Sequence, residues 1–229
     1  VNFIKEILTK EEEMRGRCVI LMIMGVVFVL ATIGTSFADP PPIKIGALYP
    51  LSGRPALFGK DSVAAAEIAV EEVNQAGGVL GGRKLQLLVT DSRANPQEAV
   101  KIAERYIMKE KVHFLYGIVS SGVGLAVTEV AKKHKKILIT TDCSSTKLTM
   151  EKWHPYYFRV SINSLQAERS AALLAQYKPW IKYWVIGADY EGPHSVWDNF
   201  WLYLKKRRPD VKLAGESWPK LGEPDYTPY

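Results

Sequence analysis

Two short stretches carry groups able to do chemistry: Gly117-Ile118-Val119-Ser120-Ser121-Gly122 and Asp142-Cys143-Ser144-Ser145-Thr146. Each follows a β-rich run. In the first, Ser120 and Ser121 enter a helical pattern, so hydroxyls and free backbone N–H groups converge on one spot, which suits a carboxylate. Ordinary N-capping by serine is the plain alternative. The second stretch weakens it by adding hydroxyls and backbone groups at a neighbouring strand end. Catalysis finds little support. Ser120-Ser121-Gly122 is not a G-x-S-x-G elbow, because Gly117 stands three residues before Ser120. His113, His134, His154 and His194 are scattered without metal-ligand spacing, and no cysteine pair exists for zinc. His113 reads as a residue inside a strand. Gly122-Val123-Gly124 lacks the third glycine of a dinucleotide fingerprint. Neither a cofactor nor a metal is expected.

The elements that must position these loops alternate short β-rich runs with helical periodicity, as in parallel βα units. Strands are expected over residues 43–48, 84–90, 112–116, 137–140, 156–160, 183–187 and 211–218. A loop over 49–60 separates the first strand from a helix beginning near Asp61 or Ser62, with Ala65, Ile68, Ala69 and Val73 on one face and a stop at Gly77-Gly78. Asn95-Pro96-Gln97-Glu98 is the best helix start: Asn95 caps, Pro96 suits the first position, and Glu98 reaches back to complete a capping box. Val100, Ala103 and Ile107 form that helix's apolar face. Val123, Val127 and Val130 mark the next helix, Asn163-Ser164-Leu165-Gln166 opens another, and Ser195-Val196-Trp197-Asp198 begins one reaching Arg208. In an open parallel sheet a ligand sits beyond the carboxyl ends of the strands, where both serine-bearing stretches fall. A boundary near Ser161-Ile162-Asn163 divides a first α/β lobe, 39–160, from a second, 161–229, that has too few elements to close its core alone. Such a lobe exposes apolar surface and a sheet edge.

The 229 residues are 47% hydrophobic and 24% charged, a globular composition. The net charge is +6, and residues 1–38 carry equal numbers of each sign, so the basicity belongs to residues 39–229. Much of it lies in Lys132-Lys133-His134-Lys135-Lys136 and Lys205-Lys206-Arg207-Arg208. Each comes at the end of an amphipathic pattern, which reads as cations at helix C-termini. No nucleic-acid partner is expected. Arg15 and Arg17, the apolar run from Cys18 to Ile33 and the small residues ending Ser36-Phe37-Ala38 read as a secretory signal peptide, 14–38, cut after Ala38. An uncleaved anchor is the rival. Residues 1–13 fit no targeting pattern, so Met14 is expected to be the start and 1–13 an upstream extension. Cys143 is then the single thiol of the exported part, and no intrachain disulfide can form.

Several segments at matching order and spacing resemble the leucine/isoleucine/valine-binding family, type I periplasmic solute-binding proteins. They are Ile43-Lys44-Ile45-Gly46-Ala47-Leu48-Tyr49-Pro50-Leu51-Ser52-Gly53, Glu71-Glu72-Val73-Asn74-Gln75-Ala76-Gly77-Gly78-Val79, Asp91 with Asn95-Pro96, the stretch 117–121, Tyr157-Phe158-Arg159 and Ala188-Asp189-Tyr190. The resemblance implies two Rossmann-like α/β lobes with parallel sheets, hinged around an amino acid or small amide. It implies that Ser121 contacts the ligand carboxylate, that Cys143 supplies a backbone carbonyl and Ser145 a hydroxyl, and that Phe58 covers the ligand. Ser120 and Ser144 join the expected site as neighbours. Where the family has an aromatic followed by glycine in the second lobe, this chain has Gly192-Pro193. The second covering aromatic is absent or replaced, with Tyr190 the candidate. Ala94 and Ser120 stand where relatives often pair cysteines. Asp225-Tyr226-Thr227-Pro228-Tyr229 resembles a segment preceding another helix of the second lobe, so that lobe is expected to be truncated here.

The expectation is therefore a periplasmic, monomeric, non-enzymatic binder of a branched-chain amino acid or related amide. It would serve the permease subunits of an ABC transporter and meet the membrane only through its signal or that permease. A ligand-sensing ectodomain of the same fold, and an exported hydrolase using Ser121, are the alternatives. The second has no base placed by motif.

Overall fold

The computed structural model describes residues 10, 14–24, 39–53, 55–220 and 223–229. These fall into two compact units, Val1–Asp39 and Pro40–Tyr229. In the first, residues 14–24 are helical. The expected cleavage site lies outside the described residues, as does the expected upstream extension apart from Lys10. Among the described residues no helix is long and apolar enough to cross a membrane.

The second unit opens with β1 (Ile43–Tyr49), which is buried at every position except half-buried Lys44. Near-continuous burial marks a central strand with neighbours on both edges. It pairs in parallel with β2 (Leu85–Asp91) and β3 (Phe114–Gly117), and β4 (Ile137–Thr140) and β5 (Tyr157–Arg159) complete the order β2-β1-β3-β4-β5. Helix α1 (Ala56–Gln75) lies against β1 and β2. Helices α2 (Pro96–Met108) and α3 (Ser121–His134) pack together on the other face, where Ile102, Ala103, Tyr106, Val123, Val127, Leu115 and Leu138 form the main core. Helices α4 (Ser164–Ala175) and α5 (Glu191–Arg207) pack on each other and, with the parallel pair β6 (Lys182–Ile186) and β7 (Lys212–Ser217), build a smaller core around Ala172, Ala175, Leu204 and Val211.

Strand ends differ from the expected ones by at most two residues, and the larger differences lie at the starts of helices. Helix α1 begins five residues before Asp61 and α5 four before Ser195. Gly192 and Pro193 look like helix breakers, yet they occupy the first turn, where backbone N–H groups have no intrahelical acceptor and a proline costs nothing. Strand β3 begins at Phe114, leaving His113 just outside it, where Nδ1 accepts from Lys44 N at 3.0 Å. Ala65, Ile68 and Ala69 of α1 are exposed; Gly59 and Ala66 are its buried residues. Asn95 caps α2 by accepting from Glu98 N at 3.0 Å, but Glu98 pairs with Lys101 rather than reaching back. The reciprocal capping box forms instead between Asn163 and Gln166 at α4. Both basic clusters straddle helix ends, with Lys132, Lys133 and His134 in the last turn of α3 and Lys205, Lys206 and Arg207 in that of α5.

Candidate functional site

The strand order reverses at β1, so the loops after β1 and β3 part there and leave a crevice at their carboxyl ends. Two adjoining cavities occupy it, of about 260 Å³ and about 430 Å³, sharing Phe58, Val119 and Tyr190 as common walls. Pro50, Pro55, Ala94 and Ser120 complete the smaller one. Ser121, Asp142, Ser144, Gly192, Pro193 and Val196 complete the larger.

The β1 loop is fixed by Asp91. Its carboxylate accepts from Ser52 Oγ at 2.6 Å and from the backbone N–H groups of Leu51 and Arg93, both at 2.8 Å. Partial burial works to raise the Asp91 pKa, but these hydrogen bonds outweigh it and hold the carboxyl below its ordinary value. Gly59 lets the first turn of α1 approach the same loop, since a Cβ there would lie 1.9 Å from the Pro50 carbonyl oxygen. That approach sets Phe58, 65% exposed, over the crevice.

The β3 loop turns through two left-handed residues, Gly117 at φ +102° and Ile118 at φ +70°. A Cβ at Gly117 would meet the Tyr49 ring at 2.7 Å. A β-branched residue in this region is strained; Ile118 is held there by full burial and by its N–H donating to Leu48 O at 2.9 Å. The turn delivers Ser120 as the N-cap of α3 and Ser121 as its first residue. Ser121 Oγ, buried, accepts from the backbone N–H groups of Ser144 at 3.1 Å and Ser145 at 3.2 Å. With both lone pairs used, the hydroxyl has only its proton left to give.

The β4 loop sorts its residues by parity. Asp142 and Ser144 line the larger cavity, whereas Cys143 and Ser145 are wholly buried behind it. The Cys143 thiol donates to the carbonyls of Ile118 and Ser120 at 3.5 Å, and burial pushes its pKa up to about 12. The carbonyls of Cys143 and Ser145 both accept from Arg159 Nη1, at 3.0 and 2.9 Å, while Nη2 donates to Thr149 Oγ1 at 3.0 Å. Thus the Cys143 carbonyl and the Ser145 hydroxyl, expected to touch ligand, are engaged within the protein. Ser145 Oγ donates to Glu191 Oε1 at 2.8 Å.

The facing wall comes from the start of α5. Tyr190 is its N-cap and lines both cavities; burial raises its phenol pKa. Glu191 spans to the other side, its Oε2 lying 2.8 Å from Lys147 Nζ, and this hydrogen bond raises the Lys147 pKa. Nearby, Ser195 Oγ meets Ser164 Oγ at 2.7 Å and accepts from Thr146 N at 3.3 Å, Asn199 Nδ2 donates to Ser164 Oγ at 3.2 Å, and Ser164 N donates to Ser144 O at 2.8 Å.

Of the expected site residues, Phe58, Ser120, Ser121, Ser144 and Tyr190 line one crevice, and Cys143 and Ser145 support it from behind. Asp142, Arg159, Glu191, Pro193 and Val196 were not anticipated in these roles. Continued α5 helical periodicity from Val196 back through Gly192 was the one signal that could have found the last of them. Among the described residues no group of three His, Cys, Asp or Glu is placed to hold a metal ion.

A family profile described as "Periplasmic binding protein" matches residues 42–229. The chain is similar to Leu/Ile/Val-binding protein homolog 3 of Brucella melitensis biotype 1, 33% identical over 129 residues, which are 56% of this chain and 34% of that protein. It is similar in fold to an ABC transporter substrate-binding protein from Sphaerobacter thermophilus, with TM-score 0.67 and 27% identity over 83% of this chain and 50% of that one. A third likeness is to an ABC transporter solute-binding protein from Rhodopseudomonas palustris HaA2 in complex with p-hydroxybenzoic acid, with TM-score 0.70 and 25% identity over 82% and 50% of the two chains. The chain thus spans about a third of the curated relative and half of each solved structure.

Proposed function

The chain belongs to the periplasmic binding protein family, and from that premise we propose that it acts in an exported solute-binding protein that presents a branched-chain amino acid or related amide to an ABC transporter permease. The observation that carries this reading is the crevice itself. Ser121, Ser144 and the start of α3 offer hydrogen-bond donors on one wall, and Phe58, Val119, Tyr190 and Val196 offer apolar surface around them. A few placed polar groups among apolar walls are what a small-molecule binding site needs. The larger cavity, about 430 Å³, has room for an amino acid of leucine size.

The names of the relatives support the same class of ligand and the same transport role, and the basic, apolar and small-residue order of 14–38 supports export to the periplasm. No step of bond making is part of the proposal, since Ser121 has no base within its hydrogen-bond set. Isothermal titration calorimetry of the purified chain with L-leucine, L-isoleucine, L-valine and short aliphatic amides is the test. Saturable binding of at least one of them at a single site is expected. Heats no greater than dilution for every one of them, on a chain with a cooperative melt, would defeat the proposal.

A further inference from the structure

The walls of the crevice are unequal in charge. Among the described residues lining the two cavities, Asp142 alone carries a full charge, and no lysine or arginine lines either one. Its side chain is exposed, and among the described residues its one side-chain hydrogen bond is from Thr141 Oγ1 at 3.2 Å, so the carboxylate keeps acceptor capacity for a guest. Beside it Ser121 has a proton to give and no lone pair to take one. A guest seated here is therefore offered a hydrogen-bond donor at Ser121 and a carboxylate acceptor at Asp142, which an ammonium group fills best.

We infer that Asp142 is the specificity-determining residue of the crevice, pairing with the ammonium group of the ligand and turning away carboxylic acids that lack one. This rests on the crevice being the ligand site proposed above. A cavity of this size is roughly 9 Å across, about one Debye length at physiological salt, so an anion anywhere inside feels Asp142. An α-amino acid or amino amide balances that charge; a hydroxybenzoate, the ligand class of the Rhodopseudomonas protein, does not. The residue lies just past the end of β4 and is exposed, which places it at the rim rather than in the core.

The test is calorimetry on the full chain and on Asp142→Asn, using matched pairs that differ only in the amine: L-leucine with 4-methylpentanoate, and L-phenylalanine with 3-phenylpropanoate, together with 4-hydroxybenzoate. The unaltered chain should bind the better amino acid of the two at least about tenfold more tightly than its deaminated partner, the scale of one charge-assisted hydrogen bond. Asp142→Asn should remove most of that ratio by weakening the amino acid while leaving or improving the acid, with an unchanged circular-dichroism melt. Equal affinity for amino acid and deaminated acid, tight binding of 4-hydroxybenzoate, or an Asp142→Asn chain that keeps the full ratio would overturn the inference while leaving the site proposal standing. Binding of none of the five probes to a folded chain overturns this inference, and the site proposal falls with it only when isoleucine, valine and the short amides fail as well.

Discussion

At the scale of single residues, Ser121 has two duties that one substitution separates. Its oxygen fixes the backbone of Ser144 and Ser145, and its proton faces the crevice. Ser121→Ala should cost about 1–3 kcal/mol of stability by orphaning two buried N–H groups, and should also weaken ligand binding; chemical denaturation and calorimetry read the two effects separately. Cys143 gives a contrasting expectation. Fully buried, with its pKa pushed up to about 12, the thiol should resist iodoacetamide at mildly basic pH in the folded chain and react once guanidinium unfolds it, as followed by mass spectrometry. Ser121 was readable in the sequence because a serine entering a helix after a glycine turn leaves a local pattern. The parity of the β4 loop was not. Leu138 and Thr140 are buried with period two, and the alternation then slips by one residue at Thr141, so that Cys143 and Ser145 continue inward while Asp142 and Ser144 face out. A slip of this kind follows from the Arg159 clamp on the loop carbonyls, a contact between distant positions that no local pattern announces.

At the scale of elements, the order of strands and helices was legible because periodicity survives in βα units, and the starts of α1 and α5 were not. Both begin with residues chosen by what they touch. Gly59 admits the Pro50 carbonyl, and Glu191 reaches Ser145 and Lys147 across the crevice. The Lys147 pair supplies a pH prediction. Its pKa is raised by the Glu191 hydrogen bond, so the stabilisation is fully present below the unfolded value of 10.5 and is lost as pH rises through the still higher folded value. Glu191→Gln should return the Lys147 titration toward its ordinary position, measurable by carbon NMR of the Cε, while changing stability at neutral pH by less than about 1 kcal/mol because the ammonium is half-exposed. The β1 loop behaves oppositely. The depressed Asp91 carboxyl contributes above its unfolded pKa, and that contribution fades as pH falls through the lower folded one. Asp91→Asn should loosen the loop that leads to Phe58, which hydrogen exchange of the Leu51 and Arg93 amides would register as faster exchange.

At the scale of the molecule, one side of the five-stranded sheet is only partly covered. Ile45, Val70, Leu87, Phe114, Tyr116 and Ile139 line a shallow apolar groove of about 220 Å³ beside α1. Ile137 and Phe158 are 43% and 52% exposed along the same sheet, and Trp184 and Ile186 of the second sheet are 61% and 59% exposed. Apolar surface of that extent seeks cover. The isolated chain should therefore bind a hydrophobic dye such as ANS and sediment as larger species with rising concentration, and Ile137→Lys with Phe158→Lys should reduce both. Helices α4 and α5 meet the first sheet's loops through a different kind of surface. Ser164, Ser195, Asn199 and the backbone of Ser144 and Thr146 join there by hydroxyl and amide hydrogen bonds. Water can replace each of these bonds one for one, so the joint resists sliding in register yet offers little resistance to being wetted. Parting such a joint would exchange hydrogen bonds for hydrogen bonds, without the penalty that parting an oily interface would impose.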